Sequence, residues 1–590
     1  MKNKFKIIVT LMVMFNISTV TLANNIDEKN VTNINNEKNI INFENNGATS
    51  SVKKLTKEEY KTKTALELAE LVREKQVTSR ELVELAYEII EENKDYHAVI
   101  ITRKELALEE ADALEDTGQK FLGVPLLLKG IGHTVSGGEN TNGLIINKGK
   151  PLSKTDGTYA KKFKQLGFII LGQTNYPELA LRNITDSELY GVAKNAHNKD
   201  YNAGGSSGGS AVSIAVGMTP IASASDAGGS IRIPAAWNGL IGLKTSRGLT
   251  DNNKKDSKSI VSHFPITKDV SDTIALLESL KKPGYNLEEI KDIKKLKIGY
   301  TLKSPMGTEV SLDAKKAVLN TVEFLKEKGF DVEEVDNPIE GRLIMQDYTV
   351  LSIFNGGLVG NLEKALASKN LTKHNVDPLV WALYVTNRDL SKSKLREMAN
   401  VVWSNVEQYK LTMEKFHKKY SIFLTPTTAQ TAPLITDDYI DSADRINMLN
   451  IENLSEEERL SLLLKQWEPM LKRTPFTQVA NLTGEPAITL PVYVTNDNLY
   501  LGVMLNAAWG MDKVLLDFAK LFEDNKLFKM NNSLKNNIES NKADINESSK
   551  NKEDVFSFEN SSYENLKINT LKNDVNRKGN RKILPKTSVA

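Results

Sequence analysis

Two glycine-serine clusters, GGSSGGS at 204–210 and DAGGS at 226–230, flank an uncharged run of small and apolar residues, 211–225. No other stretch of the chain limits its fold as tightly. Gly204, Gly205, Gly208 and Gly209 let the backbone approach a neighbouring group closely, and Ala211 to Val216 is small enough for a tightly packed helix. The second cluster sets Gly228 and Gly229 directly before Ser230, so consecutive backbone N–H groups from Ala227 to Ser230 can point one way, as an oxyanion hole requires. Ser230 then sits beside its own stabilising donors, the amides of the turn at Gly228 and Gly229.

Helical and strand signals alternate around these clusters. Thr78-Ser79-Arg80-Glu81 reads as a capping box, and Leu82, Leu85, Ala86, Ile89 and Ile90 follow at helical spacing. Gly123 to Gly130 is a short apolar run bounded by glycine, long enough only for a buried strand, and it delivers Lys129 at its end. A helix over Tyr159 to Leu166 feeds a strand at Phe168 to Leu171, followed by a polar turn at Gly172 to Asn175. Further alternation through Val270–Leu280, Leu296–Tyr300 and Phe423–Thr425 predicts an α/β fold, a mixed central β-sheet covered by helices on both faces.

Composition removes several chemistries. The 590 residues include no cysteine, which excludes disulfides, thiolate metal sites and cysteine nucleophiles. Lys+Arg (77) and Asp+Glu (75) leave a net charge of +2, so no basic face argues for a nucleic-acid partner. The six histidines, at 97, 133, 197, 263, 374 and 417, show no His-x-x-x-His spacing or acidic pairing, and no metal is expected.

The two ends differ from the middle. Lys2, Lys4 and Lys6, the apolar run from Ile7 to Phe15 and Thr21-Leu22-Ala23 read as a Sec signal peptide over residues 1–23, cut after Ala23. The run is shorter than the about 20 residues a transmembrane helix needs, so no stable membrane insertion is expected after cleavage. Residues 24–55 read as an Asn-rich linker, 56–528 as one folded domain, and 529–590 as a low-complexity tail. Both flanks are expected to be disordered, because they cannot bury enough apolar surface to offset ordering entropy. Leu584-Pro585-Lys586-Thr587-Ser588 is similar to a sortase sorting motif, but the hydrophobic span and basic tail of such motifs do not follow it. The expected location is secreted and extracellular, with association with the cell wall as the alternative.

With Lys129 upstream, GGSSGGS in the middle and DAGGSIRIPA downstream, the sequence resembles the amidase signature family, and the separation of Ser206 from Ser230 agrees with that family's spacing. The likeness continues through TSRELVELA at 78–86, GQTNYPELA at 172–180, GLKTSRG at 242–248, FLTPTTAQTAP at 423–433 and ANLTGEPAITLPV at 480–492. The resemblance implies hydrolysis of a carboxamide C–N bond through a seryl acyl-enzyme. Ser230 would be the nucleophile, Ser206 a bridging serine after a cis Gly205–Ser206 peptide, Lys129 the base, and the amides of Ala227 to Ser230 the oxyanion hole. It further implies no cofactor, a small-molecule or short oligomeric amide as substrate, and Ala180 on the wall of the substrate cavity.

For Lys129 to act as a base, burial behind Val124–Leu128 must depress its pKa well below the usual value of about 10.4. Ser207 is expected to support the loop by hydrogen bonding, and Asp226 and Arg232 to brace it as an ion pair. Ala227, where many members carry Thr or Ile, and GLKTSRG in place of GLKPT depart from the pattern without touching Lys129, Ser206 or Ser230. The second departure resembles the branch that hydrolyses cyclic oligoamides.

Rival readings remain in the residues themselves. Residues 204–208 also satisfy G-x-S-x-G, which would make Ser206 the nucleophile of an α/β-hydrolase esterase or lipase, with His374 or His417 as base. That fold gives no reason for the DAGGS cluster. A non-catalytic, surface-binding protein on the same scaffold would be marked by loss of a triad residue, and none is lost. The tRNA amidotransferase subunit shares the signature, but an exported chain would not meet charged tRNA. Specificity is expected in the less regular region 335–475, where Trp and Tyr residues between 378 and 467 could line a cavity. Which amide is cut, and the oligomeric state, are not legible.

Overall fold

The computed structural model describes residues 54–250, 257–353, 362–363 and 372–529. The expected signal peptide, nearly all of the linker and of the tail, and the Leu584–Ser588 motif lie outside the described residues.

The first long helix, Ser79–Glu92, starts where its capping box directs: Thr78 Oγ1 accepts the Glu81 N–H at 3.1 Å, and the Glu81 carboxylate accepts the Thr78 N–H at 2.8 Å. Such a cap contributes about 1 kcal/mol. Leu82, Leu85, Ala86, Ile89 and Ile90 are buried along one face, each contributing about 1.5–3 kcal/mol for the larger side chains. That face packs on the strands Pro125–Lys129 and Ile169–Thr174.

Eleven strands form one mixed sheet. In spatial order they are Val99–Thr102, Ile169–Thr174, Pro125–Lys129, Ile221–Ala222, Ile266–Thr267, Ile241–Lys244, Ala487–Val494, Tyr500–Ala507, Ile422–Pro426, Ile298–Tyr300 and Val332–Glu334. Pro125–Lys129 runs parallel to both neighbours, Ile169–Thr174 and Ile221–Ala222, and is buried at every position, which accounts for its unbroken apolar sequence. The helix Thr158–Gln165 makes the crossover to Ile169–Thr174.

At that strand the structure departs from the expected polar turn. Pairing continues through Gln173 and Thr174, in register with Leu128 and Lys129. Both buried polar side chains find partners: Gln173 Oε1 accepts the Glu139 N–H at 2.7 Å, and the Thr174 hydroxyl lies 2.7 Å from Ser210 Oγ.

The two faces of the sheet carry different cores. Ile488, Leu490, Val503 and Leu505 point to one side, with Leu515, Phe518 and Phe522 of the helix Asp512–Asp524. Ala487 and Met504 join Ala429, Phe476 and Ala480 on the other, where the helix Gln478–Thr483 lies. A separate helical core, built from Gly341–Ile353, Pro378–Asp389, Lys392–Lys419 and Glu456–Lys465, gathers Ile344, Leu383, Val406 and Leu463. This layer supplies side chains to the cavity described next.

Candidate active site

Lys129 ends its strand beneath the two glycine-serine clusters, where its backbone N–H donates to Ser223 Oγ at 2.9 Å. The side chain is fully buried, and burial lowers its pKa to about 7 although the charge of Asp226 pulls the other way. Its Nζ lies 2.8 Å from Ser206 Oγ, 3.0 Å from Ser225 Oγ and 3.4 Å from the Ser225 carbonyl oxygen. A neutral amine has two N–H donors and one lone pair. The charged ammonium can donate to all three partners, whereas the neutral form can donate twice to Ser225 and accept from the Ser206 hydroxyl. The Gly205–Ser206 peptide is cis, and the helix Gly208–Ala215 follows directly. Ser207 Oγ donates to the Ser225 carbonyl at 3.4 Å, the supporting bond expected of it.

A buried carboxylate shapes the DAGGS turn. Asp226 accepts from Gly229 N–H at 2.7 Å, Ile231 N–H at 3.2 Å, Arg232 Nε at 2.9 Å and Asn481 Nδ2 at 2.9 Å. Asp226 and Arg232 are both shielded completely from solvent, so the expected bracing ion pair is present and wholly internal. Burial alone would raise the Asp226 pKa, but Arg232 and Asn481 outweigh it and hold the carboxyl well below the usual range. Gly229 adopts φ +126°, and a Cβ there would collide with Thr477 and Ile233, so glycine is required.

This geometry narrows the expected oxyanion hole. The Gly229 amide is committed to Asp226, whereas the amides of Ala227, Gly228 and Ser230 donate to no acceptor among the described residues. Thr477 Oγ1 donates to the Gly228 carbonyl at 2.6 Å, and the Tyr348 hydroxyl packs against the Gly228 Cα.

Above the turn opens a cavity of about 590 Å³. Ser206, Ala227 and Ser230 form its floor, and Ala180, Leu351, Trp403 and Trp467 are among its walls. Ser230 Oγ makes no hydrogen bond to the described residues. Ala180 lies on the cavity wall, in a turn with left-handed φ of +51° at Leu179 and +57° at Ala180. Such positions persist only where the surrounding structure enforces them. Of the aromatic residues between 378 and 467, Trp403 and Trp467 reach the cavity, whereas Trp381 and Tyr384 are buried in the helical core.

The alternative base for Ser206 has no support in this geometry. His374 is exposed; His417 is bonded to the Tyr420 carbonyl at 3.1 Å and paired with Glu485 at 3.4 Å, and neither lines the cavity. Among the described residues no group of three acidic or histidine side chains is placed to hold a metal ion.

Ser225, Tyr348, Thr477 and Asn481 were not singled out from the sequence. Ser225 adjoins Asp226, and that adjacency was its one local signal. Asn481 lies in the family-like stretch 480–492 and Tyr348 in the region 335–475 where specificity is expected, but neither pattern points to the individual residue, and Thr477 carries no signal.

Comparisons with known proteins identify the family. A family model described as amidase matches residues 81–516. Lipoamidase from Enterococcus faecalis is 43% identical over 483 residues, which cover 81% of this chain and 65% of that relative's length. The 6-aminohexanoate-cyclic-dimer hydrolase of Paenarthrobacter ureafaciens is 27% identical, over 77% of this chain and 93% of that protein. A solved structure of 6-aminohexanoate cyclic dimer hydrolase complexed with substrate shares the fold, with a TM-score of 0.68 at 24% identity over 80% of this chain and 98% of that one. A match that runs from the first long helix to the last, through both glycine-serine clusters, means that the chain belongs to the amidase family.

Proposed function

We propose that this chain is an exported hydrolase that cleaves a carboxamide C–N bond through a seryl acyl-enzyme, with Lys129, Ser206 and Ser230 as its triad. The observation that carries this reading is the buried amine of Lys129, with a pKa of about 7, held 2.8 Å from Ser206 Oγ at the floor of the cavity. No histidine is needed. Lys129 takes the Ser206 proton as Ser206 takes that of Ser230, and the Ser230 oxygen bonds to the substrate carbonyl carbon. Negative charge then develops on the carbonyl oxygen, where the uncommitted amides at Ala227, Gly228 and Ser230 can stabilise it. Collapse breaks the C–N bond, and the proton returns from Lys129 through Ser206 to the departing nitrogen. Water, deprotonated by the same relay, releases the carboxylic acid and restores Ser230. No hydrogen bond joins Ser206 to Ser230 among the described residues; catalytic bonds of this kind commonly tighten only in the Michaelis complex.

For the substrate, the 43% identity to lipoamidase and the largely apolar cavity walls favour an amide of a medium-length apolar acyl chain, of which a lipoyl amide is one. Short oligoamides are the comparison class. Export is supported by the basic start, the apolar run Ile7–Phe15 and the small residues before Asn24.

The test is amine release from a lipoyl-lysine amide, an octanoyl amide and a linear 6-aminohexanoate dimer, by the chain without residues 1–23. Ser230→Ala and Lys129→Ala should each lose at least about 10³-fold in kcat, and His374→Ala should lose none. Mass spectrometry of the wild type with a slow amide should find the acyl group on Ser230. Activity that survives Ser230→Ala and disappears with His374→Ala would overturn the mechanism. Export predicts a chain in the culture medium whose first residue is Asn24.

A further inference from the structure

The cavity wall beside Lys129 holds two histidines that the triad does not use. His263 lies on the two-residue strand Ser262–His263, in antiparallel register opposite Ser225. His133 Nε2 is 2.9 Å from His263 Nδ1, and His133 Nδ1 is 2.7 Å from Ser223 Oγ. That serine oxygen also accepts the Lys129 backbone N–H, at 2.9 Å. Tyr159 stacks on the His263 ring with centroids 4.5 Å apart and so fixes its plane.

Donor counting assigns the protons along this chain. Ser223 is fully buried, and its hydroxyl has two partners, the Lys129 N–H, which can only donate, and His133 Nδ1. A proton on His133 Nδ1 would leave the Ser223 hydroxyl hydrogen buried without an acceptor, at a cost of about 1–3 kcal/mol. In the satisfied arrangement Ser223 donates to His133 Nδ1, His133 Nε2–H donates to His263 Nδ1, and His263 carries its hydrogen on Nε2. Burial lowers the pKa of both rings, to about 4 for His263, so each is neutral at physiological pH with a single N–H. His263 lines the cavity, its Nε2 has no partner among the described residues, and its Cε1 faces Gly132 of the same wall.

We infer that His263 Nε2–H is a fixed hydrogen-bond donor for the amine-derived half of the substrate, so that the enzyme prefers amides whose leaving group carries a carbonyl or ether acceptor. This deepens, and rests on, the amidase reading of the same cavity. The relay through Lys129 and Ser206 must reach the departing nitrogen, so the amine half lies on the Lys129 side of Ser230. His263 stands on that side, across from the serine whose hydroxyl touches Lys129 Nζ. A neutral donor with its tautomer set by a buried serine discriminates well, because a leaving group without an acceptor strands it unpaired.

The test uses octanoyl amides of glycinamide, 4-aminobutanamide and 6-aminohexanamide, each beside an isostere whose terminal carboxamide is replaced by isopropyl. For at least one spacer length the wild-type kcat/KM should favour the acceptor by about tenfold, the discrimination of one good hydrogen bond. His263→Phe should bring that ratio to about 1, and His263→Gln, whose amide N–H stands near the position of Nε2, should recover it. A ratio of about 1 for the wild type at every spacer length, or the wild-type ratio kept in His263→Phe, would overturn the inference while leaving the amidase reading intact. No turnover of any amide by the wild type would instead overturn the amidase reading, and this inference with it. Should His263→Phe not fold, nitrogen NMR of the histidine-labelled wild type reads the tautomers directly: Nε2–H on His133 and His263 is expected, and Nδ1–H on His263 refutes the donor.

Discussion

The hydroxyl of Ser225 stands 3.0 Å from Lys129 Nζ, and the carbonyl of the same residue 3.4 Å away. When Lys129 is neutral, this one residue can take both of its N–H groups, which leaves the lone pair for the Ser206 hydroxyl. Ser225→Ala keeps the carbonyl contact and loses the other. Its kcat on an octanoyl amide should fall about five- to tenfold with KM little changed, the loss expected of one neutral hydrogen bond. An unchanged kcat would remove Ser225 from the positioning of the base.

The pH profile should follow the lysine. With a pKa of about 7, Lys129 is a competent base only above that value, so kcat/KM should rise with pH through about 7 and then level off. On the acid side it should drop tenfold per pH unit. A flat profile from pH 5 to 9 would mean that another group carries the proton.

The same shift makes Lys129 a burden on stability, in a defined pH window. Its pKa is about 7 folded and about 10.4 unfolded, so between these values the unfolded chain binds more protons and stability rises with pH. The burden is complete below about pH 7. Lys129→Met should raise Tm most at pH 6 and progressively less toward pH 10, as thermal melts across that range would show. An equal gain at both ends would contradict the folded-state pKa.

Asp226→Asn leaves the Arg232 guanidinium buried without its counter-charge. Loss of one partner of such a pair costs about 3–5 kcal/mol, so the variant should unfold at clearly lower denaturant than the wild type. The double variant Asp226→Asn with Arg232→Met should regain part of that loss. Neither should hydrolyse amides well, since the Gly229 and Ile231 amides lose the carboxylate that shapes the turn. Denaturant titration separates the two effects, and a double variant no more stable than the single one would show that the turn depends on more than the charge pair.

Much of the site was legible because its signals are local. A glycine required by φ +126° and by collision with Thr477 occupies one residue of sequence, as does a lysine at the end of an apolar run. The extension of the strand through Gln173 and Thr174 was not legible, because the groups that satisfy them, the Glu139 amide and Ser210, come from other segments. The withdrawal of the Gly229 amide from the expected oxyanion donors was hidden for a related reason: it lies three positions after Asp226, and only the folded turn shows which way the carboxylate points.

By itself the sequence determined the family and the alternation of helices and strands around a mixed sheet, since each depends on short patterns of glycine, charge or apolar spacing, and through the family resemblance it named Lys129, Ser206, Ser230 and Ala180 as candidates. Only the tertiary structure decided that Ser225 holds the lysine, that Asn481 and Arg232 share one carboxylate, that Trp403 and Trp467 wall the cavity, and that His133 and His263 meet. Those pairs lie far apart in the chain or on adjoining turns. What brings them together is burial around the sheet, where each polar group must find a partner because water is excluded, and no local periodicity encodes that choice.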